Sequence, residues 1–102
     1  MMMVEVSMFP VDKGEHLSDY VARVLAIIDQ SGVSYRLNPM GTVLEGEWDE
    51  VMEVIKRCHK DLERDCNRIS TSLKIDYRRH TASRMDAKIK SVENKIGKSL
   101  QK

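Results

Sequence analysis

The 102-residue sequence predicts an α+β domain, a single antiparallel sheet backed by helices. Three observations predict it. Apolar residues alternate with period two in four short runs and recur at helical spacing in three longer ones. The two periods follow one another in the order β-α-β-β-α-β, with one more helical stretch at the end. The composition, 41% hydrophobic and 32% charged, is that of a folded chain rather than a disordered one.

The first run, residues 3–9, sets Val4, Val6 and Met8 on one side and Glu5 and Ser7 on the other, and Pro10 stops it. Asp12 and Glu15 have the spacing of a capping box for a helix over 15–31. Its stripe is Leu17, Tyr20, Val21, Val24, Leu25 and Ile28, and Gly32 terminates it. Residues 34–38 and 42–47 then form a β-hairpin around Pro39-Met40-Gly41. A second helix over 48–65 carries Val51, Met52, Ile55, Cys58, His59, Leu62 and Cys66 on one stripe. Residues 68–78 return to period two, with Ile69, Thr71, Leu73, Ile75 and Tyr77 on one side. Met85, Ile89, Val92 and Ile96 place a narrow apolar seam on a Lys-rich helix over 82–98, suited to assembly rather than to the core.

This order is that of a ferredoxin-like βαββαβ sandwich with an extra C-terminal helix, one domain over residues 1–102. The first two helices cover one sheet face, with Val4, Val6, Leu37 or its neighbours, Leu44 and Ile75 beneath them. The other face carries Glu5, Ser7, Arg36, Glu45, Ser72, Lys74 and Asp76, open to water or covered by another subunit.

Seventeen Lys+Arg against sixteen Asp+Glu give a net charge of +1, which argues against a globally basic nucleic-acid binder. The balance is uneven: residues 1–78 carry a net of −4 and residues 79–102 a net of +5. No apolar run approaches the roughly 20 residues that span a bilayer, and Glu5 interrupts the only N-terminal stretch resembling a signal. Two cysteines fit a reducing compartment, so the expected location is cytoplasmic.

The obvious chemistries fail on spacing. Cys58 and Cys66 stand about 12 Å apart along a helix at 1.5 Å per residue, too far for one tetrahedral ion. His16 and His80 have no ligand-like spacing to anything. Ser7, Ser70 and Ser72 lack a Gly-x-Ser-x-Gly elbow. The loop of residues 10–15 carries two acids where an acyl-phosphate hydrolase needs a phosphate cradle. RNA stacking needs aromatics on central strands, and the fourth strand, taken as central, offers only Tyr77. No metal, catalytic residue or required cofactor is expected.

Tyr35-x-Leu37-x-Pro39-Met40-Gly41-Thr42, followed by Leu44-Glu45-Gly46, resembles the hairpin of the small thiamine-binding protein family. Gly14-Glu15, Tyr20-Val21-Ala22 and Ser31-Gly32-Val33 are similar to its first helix, and residues 73–79 to its last strand and exit. The resemblance implies a ferredoxin-like domain that binds thiamine or its hydroxymethylpyrimidine moiety without catalysis. It also implies homo-dimers or homo-tetramers, with the ligand near a subunit interface. On that implication Glu45 accepts the pyrimidine amino group or balances the thiazolium charge. Ser7, Thr42 and the backbone around Gly41 pair the ring nitrogens, Met40 lies beside them in the turn, and Tyr35 offers a ring for stacking. Tyr35 also reads as a strand-edge core residue, and Gly41 as a turn glycine with positive φ. The rival expectation is a structural or regulatory oligomer with no thiamine ligand.

Overall fold

The computed structural model describes residues 1–15, 17–79 and 85–102; His16, His80 and the first residues of the expected third helix lie outside them. The elements are β1 (Met2–Pro10), α1 (Ser18–Gln30), β2 (Ser34–Asn38), β3 (Gly41–Gly46), α2 (Trp48–Glu63), β4 (Ile69–Tyr77) and α3 (Met85–Ile96). They build a four-stranded antiparallel sheet of order β2-β3-β1-β4. The α+β, ferredoxin-like expectation therefore holds, but β4 is an edge strand; β1 and β3 are the central ones.

Period-two alternation explains which side of β1 faces the helices. Met2, Val4, Val6, Met8 and Pro10 are buried, while Glu5 is exposed on the reverse. Leu44 and Thr42 share the helix side, opposite Val4 and Val6. Val24 and Ile28 of α1 and Val51, Val54, Ile55, Cys58 and Leu62 of α2 close the core above them. Each such side chain, fully buried, contributes about 1.5–3 kcal/mol.

The stripes read from the sequence are narrower in the fold. His59 is exposed and pairs with Glu63 at 2.9 Å, so it leaves the buried stripe of α2; Val54 takes a place there instead. Val21 is also exposed. Leu37 and Ile75 sit on the helix side by parity yet remain 61% and 39% exposed. They lie on the edge strands β2 and β4, and the two helices pack over β1 and β3.

Local details of the helix ends also depart from expectation. Asp12 does not cap α1, whose N-cap is Leu17 with no side-chain bond; its carboxylate instead accepts the Asn67 amide at 2.8 Å, tying the loop after β1 to the start of β4. Gly32, with φ +83, does end α1 as its left-handed terminator. Gly41, however, is not among the positive-φ glycines. A Cβ there would meet the Val6 carbonyl oxygen at 3.2 Å, so the glycine is required by close strand approach, not by turn geometry.

Arg23 fastens α1 to α2. Its Nε donates to Asp61 (2.9 Å), Nη1 to Asp65 (2.8 Å), and Nη2 to the Asp61 carbonyl (2.8 Å), with the Tyr20 ring 5.5 Å away. On the reverse face of the sheet α3 begins. The Met85 amide donates to Glu45 Oε2 at 3.2 Å, and Lys88 pairs with Asp76. The face expected to be open or covered by another subunit is therefore partly covered by the chain's own third helix. Met85 and Ile89 are half-buried there, whereas Val92 and Ile96 stay exposed.

Candidate functional site

The β2–β3 hairpin is tight because Asn38 pairs with Gly41, leaving only Pro39 and Met40 in the turn. The hairpin end meets β1 at Val6, the partner of Thr42, and α1 passes above both. Between them lies a cavity of about 270 Å³. Four residues marked out in the sequence border it: Ser7, Met40, Gly41 and Thr42. Its volume is close to the lower end of the roughly 300–1,000 Å³ of small-molecule pockets.

The walls are apolar, with Val6 and Met8 below and Val21, Val24 and Leu25 of α1 above. The polar groups gather at the hairpin end, where Asn38 and Thr42 stand beside the backbone of Gly41. Thr42 is 4% exposed on the helix side of β3. Ser7 borders the cavity too, although its parity places it on the opposite side of β1. No Asp or Glu is among the lining residues. An aromatic ring with a hydrogen-bonding edge suits such a space, and a fixed charge does not, since a buried cation needs a partner.

Two marked residues lie elsewhere. The Tyr35 hydroxyl donates to Asp29 Oδ1 at 2.7 Å, bridging β2 to α1, and that bond pushes the phenol above its ordinary range. Glu45 is 5% exposed on the reverse face, where it receives the start of α3. Glu5 is the acid close to the turn: a Cβ on Gly41 would stand 3.5 Å from its Cγ. Glu5 faces Lys74 across β1 and β4, and Glu45 sits diagonally from it opposite Met3. Val21, Leu25 and Asn38 were not marked as site residues. Period alone reads the first two as core, and only the passage of α1 over the hairpin turns them into a cavity wall.

Burial governs the two cysteines. Desolvation pushes the Cys58 thiol up to about 11, and its Sγ lies 3.7 Å from the Val24 carbonyl. Cys66 is raised for the same reason. Both are free. Among the described residues, no group of three His, Cys, Asp or Glu side chains is placed to hold a metal ion, and no helix is long and apolar enough to cross a membrane.

Comparison with known proteins points one way. The sequence model of the thiamine-binding protein family matches residues 4–93. A UPF0045 protein of Methanocaldococcus jannaschii is 35% identical over 88 residues, 86% of this chain and 88% of its own length. A crystal structure of that protein superposes with a TM-score of 0.82 at 34% identity, covering 89% of this chain and 94% of the other. A Thermotoga maritima protein provisionally assigned to thiamine biosynthesis or salvage gives a TM-score of 0.79 at 25% identity, over 89% of this chain and 97% of its own.

Proposed function

The chain belongs to the thiamine-binding protein family, and on that premise we propose that it holds thiamine, or the hydroxymethylpyrimidine part of it, without transforming it. One observation carries the reading: Ser7, Met40, Gly41 and Thr42, from two separate stretches of sequence, border a single cavity at the hairpin end. The aminopyrimidine ring enters this apolar slot and presents its donor and acceptor edge to Thr42, Asn38 and the Gly41 backbone. The thiazolium ring stays outside, because no carboxylate lines the slot to balance it. Glu45 contributes by holding the start of α3 on the sheet, and Tyr35 by bracing β2 against α1.

Titration calorimetry with thiamine and with hydroxymethylpyrimidine tests this. Both ligands bind, and Thr42→Val weakens both by about 2- to 12-fold, the value of one net hydrogen bond. If neither compound binds the parent protein, the family's ligand does not carry over, and the structural-oligomer reading stands in its place.

A specific observation supports self-association alongside ligand binding. β4 is a nine-residue edge strand, and its helix-side residues Leu73, Ile75 and Tyr77 are uncovered. A second copy pairing antiparallel about Ile75 sets Lys74 opposite the partner's Asp76, and Leu73 opposite the partner's Tyr77. Apolar stripe and charges are thus self-complementary. The proposed setting is the cytoplasm, where free buried thiols such as Cys58 and Cys66 persist.

A further inference from the structure

The hairpin cavity is walled mainly by buried side chains, but three apolar residues that border it face water. Val21 of α1, Leu37 of β2 and Met40 of the turn are all exposed, Met40 at 89%. One exposed apolar side chain on a surface is ordinary. These three come from separate parts of the fold and share one opening, Val21 on the helix above it and Leu37 and Met40 on the hairpin beside it.

The turn backbone is held too firmly to act as a flap. Asn38 pairs with Gly41, the Pro39 ring fixes its φ, and a Cβ on Gly41 would stand 3.2 Å from the Val6 carbonyl oxygen. The part of the turn left to move is the Met40 side chain. It is unbranched, with three rotatable bonds, and its thioether favours the edge of an aromatic ring, the sulfur about 5 Å from the ring. Thr42, 4% exposed, lies deep in the cavity. An aminopyrimidine that turns its donor and acceptor edge to Thr42 leaves its opposite edge at the opening, beside Met40.

We propose that Met40 closes this cavity over a bound ring; the inference rests on the reading of the cavity as an aminopyrimidine site. The side chain folds in from solvent, lays its sulfur against the outer ring edge and covers Val21 and Leu37. Closure takes apolar surface of all three residues out of water, and the ring supplies the platform onto which Met40 folds. Met40 thereby sets how long a flat aromatic ring stays bound, and a non-aromatic ligand of the same size gains less from it.

The test uses the full chain with isotope-labelled methionine methyls, the Met40 signal being assigned through Met40→Leu. Adding hydroxymethylpyrimidine is expected to move the Met40 methyl upfield, saturably, away from the position of a solvent-exposed methionine. Met8, buried in the cavity wall, moves with it, and Met52 of α2, outside the lining, stays. Met40→Ala is expected to leave the thermal unfolding midpoint unchanged, since the side chain is exposed in the free protein. It weakens hydroxymethylpyrimidine by about 2- to 12-fold through faster dissociation, the value of one sulfur–ring contact. Met40→Leu lacks the sulfur but keeps apolar cover, and loses less. A Met8 shift with a stationary Met40 methyl overturns the closure and leaves the ring site in place, as does Met40→Ala binding as tightly as the parent. No shift at either methionine overturns both the closure and the reading on which it rests.

Discussion

Gly41 shows how one residue can be found for the wrong reason. The sequence reading gave it a positive φ, and the fold uses it because the Val6 carbonyl leaves only 3.2 Å for a Cβ. That carbonyl is backbone and cannot rotate aside, so Gly41→Ala must shift the hairpin against β1. The variant is expected to stay folded, lose about 1–3 kcal/mol of stability, and bind thiamine more weakly than the parent. Chemical denaturation and calorimetry on the same preparation check both; unchanged stability and affinity contradict the tight approach. Glu45 is the complementary case. Its strand parity was legible, and it does lie on the reverse face. Its receipt of the Met85 amide was not legible, because that contact joins residues forty apart in sequence.

At the scale of elements, periodicity located every helix and strand to within a few residues, although only β1, β3, α1 and α2 bury the face that the pattern records. What periodicity cannot record is which strands end at an edge. Leu37, Ile75 and Tyr77 have core-like spacing and yet lie uncovered on β2 and β4. Nor can it record the clamp between α1 and α2. The Arg23 fork reaches Asp61 and Asp65 across thirty-eight and forty-two residues, and these hydrogen bonds hold the Asp65 carboxyl below its ordinary range. Arg23→Ala should therefore lower the stability, and Arg23→Lys should recover little of it, because an ammonium cannot fork. Thermal or urea unfolding measures both. The tail beyond α3 gives a pH signature. Lys102 and the Leu100 amide hold the Glu93 carboxyl down to about 2, from its ordinary 4.5. A depressed acid stabilises the tail fully above the unfolded value, and that contribution is lost as pH falls from 4.5 towards 2. Relative to its intrinsic rate at each pH, the Leu100 amide should lose protection from exchange over that window, with the core unaffected; constant protection contradicts the Glu93 anchor.

For the whole molecule, a small domain with an uncovered nine-residue edge strand is poised to gain burial from a second copy. Light scattering of the 11.8 kDa chain should give a multiple of that mass, and Ile75→Lys should return it to monomer while circular dichroism stays native. A parent that is monomeric across micromolar concentrations removes β4 as an interface. The candidate site was legible in part. The hairpin residues drew attention because turn chemistry and family resemblance fall on the same stretch, so Met40, Gly41 and Thr42 could be named. The α1 wall could not, since Val21 and Leu25 become cavity residues only when the helix docks over the hairpin. The central claim is that the aminopyrimidine occupies this cavity. Titrating thiamine into isotope-labelled protein tests it most directly. The account predicts saturable amide shifts at residues 6–8, 21–25 and 38–42, reproduced by hydroxymethylpyrimidine alone. Saturable shifts confined to other residues, or none with either compound, would contradict it.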